Sequence, residues 1–235
     1  MLVAALYDVH ANLPALEAVL AELEEIGPDL TLLGGDVAAG PLPRETIDLL
    51  RTLDRARFVS GNCERYMVDG PGAEPEPFTD WPARQLDEER RAFLASFERS
   101  VVVDDVLYCH ATPDDDEPFV TVLTDDGLAA EIIGDVEQPT VVIGHSHSQF
   151  DRRLGGLRLV NAGSVGMPSE DEPGAYWTLV ADGDPVHRRT AYHLEAAAAR
   201  IRPSGWPLTG RWVEENLLSV ASAREHAEQL ESRRG

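Results

Sequence analysis

The chain has 235 residues, 43% of them hydrophobic, enough for one sizeable core and therefore one domain over 1–235. Lys and Arg number 20 against 42 Asp and Glu, a formal charge of −22. That balance argues against polymeric nucleic acid and membrane surfaces as partners, since both are held by clustered cations. The two cysteines, Cys63 and Cys109, form no spaced framework, and the apolar N-terminal run of MLVAALYDVH stops at Asp8 with no basic region before it. Both features fit a cytoplasmic protein.

Taken in chain order, LVAALY (2–7) is a short apolar run that predicts a buried strand. LPALEAVLAELEEI (13–26) repeats Leu and Val at helical spacing, with Asn12 as N-cap and Pro14 in the first turn. LTLLGG (30–35), RETIDLLRTL (44–53) and RFVSG (57–61) continue as strand, helix, strand. Short links between them predict an α/β domain whose first strands are largely parallel. The stretch 69–82 is rich in Pro and Gly and reads as a loop, with Phe78 and Trp81 either pinning it or offering an aromatic platform. A helix follows at 83–98. Then come a hairpin, VVV (101–103) and VLYCH (106–110), and strands TVVIGHSH (140–147), FDRRL (150–154), LRLVNAG (157–163), YWTLVA (176–181) and PVHRRTAY (185–192). This second half predicts a more antiparallel sheet. From 193 to 235 the pattern is helical, interrupted by RPSGWP (202–207), so the α/β core is expected over 1–192 with a helical extension behind it.

The chemistry-bearing residues gather at the strand ends. Asp8 and His10 follow the first strand, Asp36 the second and Asn62 the third, while His110, His145 and His147 end later strands. Open α/β sheets bind ligands at the carboxyl ends of their strands. Any one of these residues alone is unremarkable, but four of the seven histidines at such ends, beside Asp and Asn, form a metal-ligand pattern. His187, His193 and His226 have no acidic or amide partner at metal spacing and are expected at the surface. The extension 193–235 offers no ligand candidate. It is expected to pack on the sheet or on a second subunit of a homo-oligomer.

The blocks DVHAN (8–12), GGDV with the following GP (34–41), GNCE (61–64), CH (109–110) and GHSH (144–147), together with NAGSVGMPSEDEPGAYWTLV (161–180), closely resemble calcineurin-like metallophosphoesterases, in their small bacterial and archaeal phosphodiesterase branch. The resemblance implies a two-sheet β-sandwich flanked by helices, α/β of the α+β type, with a dinuclear metal site at one edge. It implies Asp8, His10 and His147 as ligands of one ion, Asn62, His110 and His145 as ligands of the other, and Asp36 as the bridge. It further implies hydrolysis of a P–O bond in a small phosphorylated or phosphodiester substrate by a metal-bridging hydroxide. Two divalent ions would carry about +4 against −2 from the aspartates, so an anionic phosphoryl group is attracted even in an acidic protein. The mixed N/O donors favour manganese, with iron, zinc or nickel as further possibilities.

The chain departs from the family pattern at two places. Where the family most often has a histidine that protonates the leaving group, this chain has Cys63. A thiol is a poor general acid, so this position is either inactive or simply packs under the site. Glu64 would then be free to pair with Arg65, and Asn62 and Arg65 are the candidate phosphate contacts. Ala11 replaces the usual glycine and is neutral unless its turn needs positive φ. A phosphodiesterase is the leading reading. A Ser/Thr protein or small-molecule phosphomonoesterase, or a non-catalytic scaffold of the same fold, is the alternative.

Overall fold

The computed structural model describes residues 1–69 and 77–234. The first half alternates as predicted: β1 (Leu2–Leu6), α1 (Leu13–Ile26), β2 (Leu30–Leu33), α2 (Pro43–Leu50), β3 (Ala56–Phe58) and α3 (Asn62–Asp69). Asn12 caps α1 by accepting the Ala15 N–H, and Gly27, in the left-handed region, ends it. α4 (Pro77–Gln85) and α5 (Glu88–Ala95) follow, then β4 (Ser100–Val103), β5 (Val106–Cys109), α6 (Asp126–Ile133), β6 (Thr140–Ile143), β7 (Phe150–Leu154), β8 (Leu157–Asn161), β9 (Ala175–Ala181) and β10 (Asp184–Thr190). The extension holds α7 (Leu194–Ile201), a 3-10 turn, α8 (Thr209–Trp212) running into a π-helical turn (Val213–Leu218), and α9 (Ala223–Glu231).

The strands make two five-stranded sheets, ordered β10-β9-β1-β2-β3 and β4-β5-β6-β8-β7. In the first, β1, β2 and β3 are parallel and β9 and β10 antiparallel. The second is mixed rather than mainly antiparallel, because β5, β6 and β8 run parallel. Alternate residues of each strand face opposite sides. Val3, Ala5 and Tyr7 meet Tyr108, Val142 and Val160 between the sheets. Ala4 and Leu6 face α1 and α2, and Leu107, Val141 and Ile143 face α6. The result is the expected helix-flanked sandwich.

Several local expectations are corrected. The strand expected over RFVSG (57–61) ends at Phe58, and Asn62, Cys63 and Glu64 of GNCE form the first turn of α3. The helix expected at 83–98 is two helices, because Asp87 caps α5 by accepting the Arg90 N–H. Of the loop expected at 69–82, residues 77–82 belong to α4, and 70–76 lie outside the described residues. The α6 segment, DGLAAEII behind its Asp125 cap, was not anticipated. The second half of the extension breaks at 219–222, where Ser222 and Glu225 form a capping box for α9. No helix among the described residues is long and apolar enough to cross a membrane.

Candidate metal centre

Five strand ends converge at one edge of the sandwich. The turns after β1 and β2 are stitched together by backbone bonds from Asp8 N–H to Gly35, His10 N–H to Asp36 and Ala11 N–H to Val37. The resulting backbone is tight. Asp8, His10, Asp36, His145 and His147 all have φ between 47° and 64°. Asp and His tolerate the left-handed region better than most residues, and such strain collects at functional sites. Ala11 joins them at φ 51°, so the replacement expected to be neutral sits where glycine is favoured. Close approach explains two glycines in the motifs. A Cβ on Gly35 would lie 2.5 Å from His110 Nδ1, and one on Gly144 would lie 2.5 Å from Asp8 Oδ2.

The structure brings the seven expected ligands together. Asp8, His10 and His147 offer ligand atoms that lie within 4.8 Å of one another, as do Asp36, His110 and His145. Asp36 stands between the groups, with Oδ2 3.8 Å from His10 Nε2 and Oδ1 3.6 Å from His110 Nε2. Asn62 Oδ1 joins the second group, 3.2 Å from His110 Nε2.

Backbone carbonyls set the imidazole tautomers. His10 Nδ1 is 3.1 Å from Ala39 O, His110 Nδ1 2.9 Å from Gly34 O, and His145 Nε2 3.0 Å from Glu117 O. Each is satisfied by a donated N–H, which leaves the opposite ring nitrogen with a lone pair aimed inward. The inward nitrogens of His110 and His145 then crowd each other, Nε2 lying 3.2 Å from Nδ1, and His10 Nε2 lies 3.1 Å from His147 Nε2. Among the described residues Asp8 Oδ1 is buried with no hydrogen-bond partner, His147 Nε2 standing 3.5 Å away. Facing lone pairs and an orphaned carboxylate oxygen are costly unless cations lie among them, so the residues fit a divalent metal centre.

Electrostatics agree. Burial would raise the carboxyls of Asp8 and Asp36, but the surrounding histidines outweigh it and hold both below the usual range. Burial lowers His10 to about 4 and also lowers His145, keeping both neutral and able to ligate. Burial opposes charging of His110 and His147 too, yet the nearby aspartates raise both.

Asp36 and Glu64 brace the site. Asp36 Oδ1 accepts the Cys63 N–H at 2.9 Å, placing a carboxylate at the N-terminus of α3. Glu64, fully buried, accepts the N–H groups of Asp36 at 2.7 Å, Val37 at 2.8 Å and Gly61 at 2.9 Å. It therefore clamps the β2 and β3 turns and does not pair with Arg65. Burial, then the charge of Asp36, raises its carboxyl to about 7. Cys63 is buried among these groups. Its Sγ donates to Asp36 Oδ2 at 3.1 Å, and burial with the Asp36 and Glu64 charges pushes the thiol well up. It also falls within a third possible ligand group with His10 and Asp36. Arg65 is engaged twice, by Asp116 at 2.7 Å and Glu117 at 2.6 Å.

One neighbour was missed. His226 of α9, expected at the surface, stacks on His147 with ring centroids 5.9 Å apart and planes at 12°. Burial lowers it to about 4, with His147 adding to the effect. The same helix is tied to the sandwich by Glu231 Oε1, which accepts from the hydroxyls of Thr121 and Thr124, each at 2.6 Å. The extension therefore packs against the sandwich and also touches the ligand cluster, without adding a ligand to it among the described residues. No spacing in the sequence signals this contact. His187 Nε2 donates to Asn161 O, and His193 caps α7, both away from the cluster.

The fold and this cluster define a metallophosphoesterase-type centre. Residues 1–184 match the calcineurin-like phosphoesterase superfamily domain, and the chain belongs to that family. It is 26% identical to an uncharacterized protein of Methanocaldococcus jannaschii over 92% of this chain and 97% of that protein. Among solved structures it resembles a metallophosphoesterase from Sphaerobacter thermophilus, at 26% identity and TM-score 0.77 over 91% of this chain and 97% of that one. A hypothetical protein from Pyrococcus horikoshii shares the fold at 18% identity and TM-score 0.78, covering 94% of this chain and 99% of its own.

Proposed function

We propose that the chain is a phosphodiesterase that holds two divalent ions, manganese foremost, and hydrolyses a small diester in the cytoplasm. The observation that carries this reading is the pair of ligand groups on either side of Asp36. Two such ions activate water and neutralise charge on the phosphoryl oxygens when bound. The protein's own part is positional. Ala39, Gly34 and Glu117 hold three imidazoles in ligating tautomers, and Glu64 fixes the turn that presents Asp36.

Charge supports a diester over a monoester. Asp69, Asp115 and Asp116 line the cavity that reaches His110, with Arg99 at its edge and an Arg65 guanidinium already paired with carboxylates. A monoester dianion would meet this acidic rim with twice the charge of a diester. Buried Cys63 bonded to Asp36 is also placed to orient that carboxylate rather than to protonate a leaving group.

The test is to strip the protein, reload it ion by ion and compare bis(4-nitrophenyl) phosphate with 4-nitrophenyl phosphate. Activity should return with divalent ions and favour the diester. A faster monoester rate would overturn the substrate assignment, and no activity with any ion would overturn the enzyme.

A further inference from the structure

Beside the cluster, the C-terminal extension encloses a cleft of about 870 Å³ that opens directly onto His147. That size lies within the roughly 300–1,000 Å³ of small-molecule sites. Its walls come from three separate parts of the chain: Phe78 of α4, Met167 in the segment after β8, and the extension from Trp206 to Arg233. Phe78 links the cleft to the cluster on one side, its ring 5.4 Å from His10 and 5.4 Å from Trp206. On the other side, His226 is both a cleft residue and the ring stacked on His147.

The cleft differs chemically from the acidic side of the centre. Trp206 and Trp212 lie beneath it, both buried, with rings 6.3 Å apart. Each has a buried indole N–H with no hydrogen-bond partner among the described residues. Asn216 and Gln229 supply a polar edge, and Arg233 is exposed at the rim. Arg211 and Glu215 add charge to that edge, while Phe78, Met167, Leu208 and Val220 give apolar walls, a mixture that suits a flat organic group with a hydrogen-bonding edge.

We propose that this cleft is the subsite for an ester substituent of the substrate, and that it takes a planar aromatic group with a hydrogen-bonding edge, such as a nucleobase or a substituted aryl ring. The inference rests on the phosphodiesterase reading and deepens it. The phosphoryl group sits at the ligand cluster, the cleft beside His147 takes one substituent, and the other points toward solvent. His226 acts as a positioning residue, holding the outer face of His147 where the two regions meet. The extension thereby selects the substrate that the strand-end residues hydrolyse.

The experiment uses the full metal-loaded chain and two diesters that release the same 4-nitrophenolate. One is the 4-nitrophenyl ester of thymidine 5′-phosphate, the other ethyl 4-nitrophenyl phosphate. Base–aromatic contact predicts a kcat/KM about tenfold higher for the thymidine ester. Val220→Trp, at a half-buried cleft position, and Gln229→Trp, at an exposed one, each place an indole in the cleft. Either should bring the ratio of the two esters to about twofold or less, through KM of the thymidine ester. A wild-type ratio near one, a ratio unchanged in both folded variants, or an equal loss on both esters would overturn the subsite while leaving the phosphodiesterase reading intact. Hydrolysis of neither ester with any ion would defeat that reading, and this inference with it.

Discussion

The strand-end cluster and the C-terminal cleft lie side by side but are built in opposite ways. The cluster is made from short turns, each held by its own strand, with backbone angles forced positive and tautomers pinned by main-chain carbonyls. The cleft is made from helix surfaces brought together by packing around Leu13, Leu42, Ile201, Trp206, Trp212 and Leu217, with Glu231 bonding α9 to Thr121 and Thr124. Chemistry that tolerates little displacement sits on rigid, strained turns. Selection among substrates can be carried by helices whose positions depend on tertiary contacts alone.

The largest expected effect separates the two regions most sharply. Asp36→Asn should leave the fold intact, as judged by circular dichroism, while lowering metal content and activity together. Loss of groups one contact removed from a metal already costs about 10–100-fold, so loss of the shared carboxylate should exceed about a hundredfold. Two retained equivalents of metal with full activity would show that Asp36 does not join the two groups.

Next comes Glu64→Gln. Its amide offers one acceptor oxygen to N–H groups that now use both carboxylate oxygens. Each buried donor left unpaired costs about 1–3 kcal/mol, and the slackened Asp36 turn should cost about 10–100-fold in rate. Thermal melting and kcat measured on the same sample check both. A variant with wild-type stability and rate would remove Glu64 from the support of the centre.

The smallest effect tests the tail. His226→Gln should change stability with a pH signature instead of abolishing turnover. Burial holds folded His226 at about 4, below its ordinary 6.5. As pH falls from 6.5 toward 4, the unfolded chain takes up a proton that the folded chain refuses, so this residue lowers stability at the acidic end. Stability of wild type minus variant should therefore fall as pH drops through that window. A difference that is flat with pH, from paired denaturant titrations, would place His226 in solvent and weaken the contact between extension and centre.

The ligand pattern could be read in one dimension because each strand end contributes its own residue and the strands follow chain order. Asp8, Asp36, Asn62, His110, His145 and His147 each stand behind an apolar run that announces the strand. What escaped depended on a neighbour distant in sequence. The helix that starts at Asn62 has no signal of its own in GNCE, because the carboxylate at its N-terminus, Asp36, comes from another loop. Glu64 suggests an ion pair with adjacent Arg65 until burial places it under three amides. Ala11 reads as harmless because φ is not written in the residue type. His226 carries no motif at all, since its stacking on His147 spans 79 positions of chain, 226 less 147.

The inward-facing imidazole lone pairs and the orphaned Asp8 oxygen have a consequence for the protein's life outside catalysis. Ligand atoms crowd one another in the ion-free protein, so ion uptake would relieve that crowding and stabilise the native state. Free ion at about a hundred times its dissociation constant would add about 2.7 kcal/mol to the stability of the native state for each site filled. On the proposed reading, ion supply would govern survival of the fold as well as rate, and melting temperature should climb with free ion even when no substrate is present.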